Sequence, residues 1–79
     1  MKLSEIKTGQ RCIIESFTDE FLKLKLMEMG CIPGEEIEVV RVAPPGDPIA
    51  INVANYTLSL RLSEAETVVV KPSIQTPAK

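Results

Sequence analysis

The sequence predicts a mostly β fold, a small and strongly bent antiparallel barrel of about five strands with one inserted α-helix. Three observations predict this class. Runs rich in β-branched residues recur between turn signals, two runs alternate apolar and polar positions, and one separate stretch has the periodicity and end signals of a helix. A helical bundle is excluded, because the β-branched alternation over residues 36–70 leaves too little chain for three helices.

The chain has the size of one domain. It contains 79 residues, of which 44% are hydrophobic and 25% are charged, a composition typical of globular proteins. Residues 72–79 contain prolines and have no apolar periodicity. We therefore expect a single domain over residues 1–71 and a flexible tail over residues 72–79.

A strand and a helix are predicted in the first part of the chain. Residues 11–17 are rich in β-branched and aromatic side chains, as strands are. A helix over residues 19–29 follows, with Thr18 as its expected N-cap and Gly30 at the position after the helix that favours a left-handed residue. At about 100° per residue, its core-facing stripe consists of Leu22, Leu26 and Met29.

The central segment predicts a turn and an irregular strand. Pro33 and Gly34 stand in the order of a type II turn, since proline suits its second position and glycine its third. In residues 36–43 the apolar positions change face between Val39 and Val40. This change indicates a β-bulge, or a strand that bends from one sheet into the other.

A hairpin over residues 49–60 is the best-defined local structure. Apolar residues alternate with small or polar ones on both sides of Ala54 and Asn55, which are expected to form a two-residue turn. This register pairs apolar residues throughout: Val53 with Tyr56, Ile51 with Leu58 and Ile49 with Leu60. A slip of one residue would mix the two faces, so the register is strongly specified.

The end of the chain predicts one helical turn and a last strand. Residues 63–66 have the S-x-x-E pattern of a helix start, but the β-branched residues 67–70 follow at once. A single helical turn near residues 63–66 is therefore all that fits. A strict hairpin, one helical turn before the last strand and one inserted helix are typical of the SH3-like barrel.

Charge and residue types exclude several functions. The 9 basic and 11 acidic residues give a net charge of −2 and are scattered, whereas a nucleic-acid-binding protein needs a basic face. The chain has no histidine, the usual general base and the commonest transition-metal ligand. We expect no catalytic residue, no metal ligand and no cofactor.

The sequence predicts neither membrane insertion nor export. No apolar run approaches the roughly 18–20 residues that a membrane-spanning helix requires, and the start MKLSEIKTG lacks the apolar stretch of a signal peptide. We expect a cytoplasmic protein. In that reducing compartment Cys12 and Cys31, which are far apart and have no CxxC spacing, are expected to be buried thiols rather than a metal site or a redox sensor.

An ordered set of short motifs resembles the ferrous iron transport protein A (FeoA) family. The resemblance covers residues 3–71. It depends on the order and spacing of the opening LSEIKTGQR, KL at residues 25–26, MG at 29–30, IPG at 32–34, IEVVRVAP at 37–44, GDPI at 46–49, INV at 51–53 and YTLSLR at 56–61. One departure is visible. The turn before Tyr56 usually contains glycine in the family and here is Ala54-Asn55, in which asparagine tolerates left-handed φ.

The resemblance implies a partner. The family consists of small cytosolic SH3-like proteins that accompany FeoB, a membrane ferrous-iron transporter with a cytosolic GTPase domain. It therefore implies a non-enzymatic accessory of bacterial ferrous iron uptake that contacts FeoB and its GTPase domain and affects GTP hydrolysis, if at all, by binding. It also implies association with a transition metal, for which no residue here matches a ligand set.

The resemblance leaves one alternative open. Similar SH3-like domains occur at the C-terminal end of iron-dependent transcriptional regulators, so the chain could be a stand-alone regulatory module. No helix-turn-helix precedes the domain in this sequence, which favours the transporter accessory. A polyproline-binding role is disfavoured because the chain contains only Phe17, Phe21 and Tyr56 as aromatic residues.

A second apolar stripe on the predicted helix is the candidate contact surface. Phe21, Leu24 and Met27 lie on a different side from the core stripe and are framed by Lys23 and Lys25. Alternatively, the N-terminal segment with its apolar side chains Leu3 and Ile6 covers this stripe. Asp47, in the stiff loop over residues 44–48, is a further candidate for a partner contact, although turn geometry alone accounts for the residues of this loop.

Overall fold

An antiparallel sheet forms the framework of the protein. The computed structural model describes residues 1–73, and within them five strands are arranged in the order β4-β3-β2-β1-β5. The strands are β1 (Arg11–Phe17), β2 (Glu36–Val42), β3 (Ile49–Val53), β4 (Tyr56–Leu60) and β5 (Val68–Pro72). The predicted mostly β fold with about five antiparallel strands is confirmed.

Short helical elements connect the strands. A 3-10 turn over Leu3–Glu5 precedes β1, helix α1 (Glu20–Glu28) connects β1 to β2, and the single turn α2 (Leu62–Ala65) precedes β5. The predicted helical turn before the last strand is confirmed, one residue earlier than expected. The amide of Arg61 donates to Oε1 of Glu64 at 2.8 Å, so the turn begins before Ser63, which the sequence pattern favoured as the cap.

The hairpin formed by β3 and β4 has the predicted register. Its three apolar pairs and the pairs of the opposite face occur as expected. Ala54 and Asn55 both have positive φ, 50° and 70°, as a two-residue turn between tightly twisted strands requires. The predicted irregularity of β2 is also present, as a register shift against β3 between Val39 and Arg41. Val39 is fully buried and Val40 is exposed at the shift.

The core lies on one side of the sheet and is closed by the first residues of the chain. Leu3 and Ile6 are buried in it, and the amide of Val70 donates to the carbonyl oxygen of Met1 at 2.7 Å, which places the start of the chain beside β5. An isolated bridge between Lys2 and Val69 continues this pairing. The other apolar core residues are Cys12, Ile14, Leu26, Cys31, Ile37, Val39, Ile49, Ile51, Val53, Leu60, Ala65, Val68 and Val70.

The last strand extends further than the sequence suggested. Pro72 pairs with Cys12, and the amide of Ser73 donates to the carbonyl oxygen of Arg11 at 3.2 Å. Pro72 therefore belongs to β5 rather than to the predicted tail, and Ser73 is hydrogen-bonded to β1 directly after it. The remainder of that tail, residues 74–79, lies outside the residues that the structure describes.

Candidate docking surface

Helix α1 has well-defined ends. Asp19, not Thr18, is its N-cap, and its carboxylate accepts a hydrogen bond from the amide of Leu22 at 3.0 Å. At the other end Gly30 adopts φ +103°, and its amide donates to the carbonyl oxygen of Met27 at 3.1 Å. The amide of Cys31 donates to the carbonyl oxygen of Leu26 at 2.9 Å, which completes a Schellman motif. Both ends of the helix are therefore capped.

The inner face of α1 is the predicted one. Leu26 is fully buried, and Leu22 and Met29 pack against the core while partly exposed. Lys25 adds a polar anchor, because its ammonium group donates to a carboxylate oxygen of Glu64 at 2.7 Å. Glu64 is only 7% exposed, and this contact links α1 to α2.

The hydrogen bonds to Glu64 favour its charged form. Lys25 and the amide of Arg61 donate to its two carboxylate oxygens and hold the pKa of this carboxyl below its ordinary value, although burial acts in the opposite direction. A buried carboxylate of this kind serves to position α1 and α2 relative to each other.

The outer face of α1 leaves two large apolar side chains in solvent. Phe21 is 89% exposed and Leu24 is 67% exposed, while Met27 is half-buried. We call Phe21, Leu24 and Met27 the outer stripe. Leu3 and Ile6 are buried in the core, so the alternative in which the N-terminal segment covers the stripe is wrong for Phe21 and Leu24.

The charged surroundings of the outer stripe differ from the prediction. Lys25 turns to Glu64, so its charge is neutralised away from the stripe. Glu20 and Glu28 are exposed on α1, and among residues 1–73 neither forms an ion pair. The predicted frame of Lys23 and Lys25 is therefore wrong for Lys25, because a carboxylate 39 positions along the chain binds its ammonium group.

Asp47 lies elsewhere, in the loop before β3. Its side chain is exposed, and one carboxylate oxygen accepts a hydrogen bond from the amide of Leu62 at 3.0 Å. Leu62 is the first residue of α2, so Asp47 satisfies a free amide at the start of that turn. The structure does not place Asp47 on α1 with the outer stripe.

The described residues do not fit a metal site. No group of three or more histidine, cysteine, aspartate or glutamate residues comes together within residues 1–73. Cys12 and Cys31 are both buried and unbridged, and burial raises the pKa of each thiol to about 11, so the thiolate that binds metals is disfavoured. The expectation that both cysteines are buried thiols is confirmed. No helix within the same residues is long and apolar enough to cross a membrane.

The fold and its motifs match a known family. The model of the FeoA domain matches residues 1–72. The chain belongs to the FeoA family. A curated relative, an Fe(2+) transport protein A/Fe(2+) transporter FeoB fusion protein of Porphyromonas gingivalis, is 33% identical over 72 residues, which are 90% of this chain and 8% of that protein.

Solved structures of family members agree with the fold. The solution structure of iron(II) transport protein A from Clostridium thermocellum is 42% identical and has a TM-score of 0.84 over 91% of this chain and 45% of that one. FeoA of Stenotrophomonas maltophilia, an SH3 domain protein crystallised as a complex with zinc, is 34% identical, with a TM-score of 0.79 over 90% of this chain and 89% of its own. The predicted SH3-like class is therefore confirmed.

A manganese-dependent transcriptional repressor has the same fold at low identity. It is 13% identical, with a TM-score of 0.82 over 94% of this chain and 41% of the repressor chain. At this identity the likeness shows the fold alone.

Sequence reasoning missed two contacts that hold the candidate surface in place. The hydroxyl of Tyr56 donates to the carbonyl oxygen of Met29 at the end of α1, although the sequence showed Tyr56 only as a hairpin residue. The ion pair of Lys25 and Glu64 had no signal in the sequence, because its partners lie on separate helical elements. Both contacts fix α1 and thereby the direction in which the outer stripe points.

Proposed function

We propose that this chain is a non-enzymatic cytosolic accessory protein of bacterial ferrous iron uptake that binds the cytosolic GTPase domain of the FeoB transporter through the outer stripe of α1. The observation that carries the proposal is the exposure of Phe21 and Leu24 on a helix whose ends are both capped. Large apolar side chains on a rigid element are typical of contact surfaces, because a backbone that is already ordered loses little conformational entropy on binding.

The curated relative supports the choice of partner. In that protein an Fe(2+) transport protein A and FeoB are parts of one fusion protein. Fusion gives two domains a high effective concentration for each other, so even a small apolar surface can maintain their contact. In a family member that is not fused to FeoB, an exposed apolar stripe can make the same contact.

The residue chemistry supports a role in binding rather than catalysis. The chain has no histidine, and burial raises the pKa of both thiols to about 11, so neither thiol is activated as a nucleophile. Any effect on GTP hydrolysis would therefore act through contact with the GTPase domain. Contact of Asp47 with a partner stays a prediction. In the free chain its carboxylate accepts a hydrogen bond from the amide of Leu62.

Binding of Leu24→Glu to the isolated GTPase domain of FeoB tests the proposal. We expect the variant to bind at least about ten-fold more weakly, because a charge replaces an apolar anchor. Its thermal midpoint should stay within about 3 °C of the parent, since Leu24 is mostly exposed. Val40→Glu is the matched control, the same kind of change at an exposed position of β2.

Two results would contradict the proposal. A thermal midpoint lowered by much more than that of Val40→Glu would assign Leu24 to the core. If the NMR chemical shifts of the parent chain did not change on addition of the GTPase domain, FeoB would be excluded as the partner. Co-purification with a DNA-binding regulator instead would favour the regulatory alternative.

A further inference from the structure

We infer that the surface which receives α1 is an apolar pocket with a rim of basic side chains, so that Glu20 and Glu28 determine which partner fits. This inference rests on the proposed function and adds the chemistry of the partner's surface to it.

The two carboxylates are interleaved with the outer stripe. At about 100° per residue, Glu28 falls between Phe21 and Leu24 around the helix, and Glu20 falls between Leu24 and Met27. Both glutamates are exposed. A partner that buries Phe21 and Leu24 therefore brings its own side chains close to both carboxylates.

No basic residue within the described part of the chain neutralises these carboxylates through an ion pair. The ion pairs found over residues 1–73 join Arg11 to Glu38 and Lys25 to Glu64. Lys25 is three residues from Glu28, a spacing that permits a pair on one helix, yet its ammonium group is 2.7 Å from the carboxylate of Glu64. The carboxylates of Glu20 and Glu28 are thus left for a partner.

Helix stability does not explain Glu28. Glu20 lies in the first turn of α1, where the helix dipole favours an acidic side chain, so folding accounts for it. Glu28 is the last residue of the helix, where the dipole and the free carbonyl groups disfavour negative charge. Glu28 therefore does not stabilise the helix, and it lies next to two exposed apolar side chains. This placement fits a role in recognition.

The charges also distinguish between classes of partner. An anionic membrane surface would repel both glutamates, and helices that lie on membranes have lysine and arginine on the polar face. A second copy of the chain that packed stripe against stripe would bring acidic residues near acidic residues. A basic-rimmed pocket on another protein has neither conflict.

Charge-neutralising variants test the inference with the FeoB GTPase domain as probe. Glu20→Gln and Glu28→Gln should each weaken binding about two- to five-fold, and the affinity of the parent should fall as NaCl rises from low to high concentration. Glu28→Gln should at the same time leave the thermal midpoint unchanged or raise it. Glu35→Gln, the same loss of charge at an exposed position in the turn before β2, should change neither affinity nor salt dependence.

The outcomes separate this inference from the proposed function. If Leu24→Glu abolishes binding while both glutamine variants bind like the parent and salt has no effect, the apolar contact stands and the basic rim is overturned. A lowered thermal midpoint for Glu28→Gln would also overturn it, by assigning Glu28 to folding. Absence of binding by the parent, with association of the chain to itself or to phosphatidylserine vesicles instead, would overturn both proposals.

Discussion

The hydroxyl of Tyr56 donates a hydrogen bond to the carbonyl oxygen of Met29, so a side chain of the hairpin satisfies an acceptor at the end of α1. Gly30 makes this approach available. A Cβ atom at Gly30 would overlap the Tyr56 hydroxyl, and the backbone there has φ +103°. The position of the hairpin and the end of the helix therefore determine each other.

Gly30→Ala and Tyr56→Phe should destabilise the protein non-additively. Alanine at a left-handed position costs about 1–2 kcal/mol, and overlap with the hydroxyl adds to this. Loss of the hydroxyl in Tyr56→Phe should cost about 0.5–1.5 kcal/mol. In the double variant the overlap is gone, so its loss of unfolding free energy, measured with urea, should be smaller than the sum of the two single losses.

Gly9→Ala is the matched control for that cycle. Gly9 also has positive φ, +90°, but a Cβ atom there would meet nothing within 4 Å. Its backbone cost should therefore resemble that of Gly30→Ala without any coupling to Tyr56→Phe. Strict additivity of Gly30→Ala and Tyr56→Phe would show that the approach of Tyr56 places no demand on Gly30.

Ala54→Gly should stabilise the protein. Ala54 adopts φ 50° in the hairpin turn, which costs a residue with a Cβ atom about 1–2 kcal/mol, and glycine avoids most of this cost. We expect a gain of about 0.5–1 kcal/mol in unfolding free energy after the extra chain entropy of glycine is subtracted. Ala50→Gly, the same change within β3, should lower stability, and a loss in both variants would argue against left-handed strain at Ala54.

Lys25→Met should reduce stability in a pH-dependent way. The native pKa of Glu64 lies below its ordinary value because Lys25 and the amide of Arg61 donate hydrogen bonds to it. Such a group contributes stability above its ordinary pKa and loses the contribution as pH falls through the lowered native pKa. The parent should therefore exceed Lys25→Met by about 1–2 kcal/mol near pH 7, and the gap should close in acid.

Lys23→Met provides the comparison for that titration. Lys23 lies on the same helix and forms no ion pair within residues 1–73. Its substitution should shift thermal midpoints little and equally at all pH values. A gap between parent and Lys25→Met that stays constant down to pH 2 would show that packing of the lysine stem, rather than the ion pair, is responsible.

Both cysteines should react slowly with thiol reagents in the folded protein. Burial raises the pKa of Cys12 and of Cys31 to about 11, and the carboxylate of Glu36 adds to the effect at Cys12. At pH 8 the thiolate fraction is then about 0.1%, and access is restricted as well. Labelling with iodoacetamide should be slow under native conditions and fast in urea, whereas fast native labelling of either thiol would contradict its burial.

The hairpin shows what the sequence alone could predict. Its register follows from alternation within residues 49–60, and every predicted pair is present, because local pattern and burial agree there. Helix ends were less predictable. Thr18 and Asp19 are both suitable N-caps, and the choice depends on a distant contact, since the amide of Thr18 donates to the carbonyl oxygen of Thr67 at 2.8 Å. Thr18 is thereby held beside the residue that precedes β5, and Asp19 is left as the N-cap.

The candidate surface required the structure for a similar reason. Helical periodicity separated the outer stripe from the core stripe, but it does not tell which other segment lies over a face. The structure shows that Phe21 and Leu24 stay in solvent, while Leu3 and Ile6 are buried in the core instead of covering them. The charge of the surface was wrongly predicted because Lys25 binds Glu64, a residue that no local pattern connects to α1.

The pairing of the first residues with β5 has a consequence for how this domain joins to other polypeptide segments. The carbonyl oxygen of Met1 accepts a hydrogen bond from the amide of Val70, so the entry to the domain lies beside its last strand. A host protein can therefore accommodate the whole unit as an insertion without stretching either junction. For the same reason a circular permutant in which a short glycine-serine bridge joins Ser73 to Met1 should keep the barrel and leave the outer stripe in place.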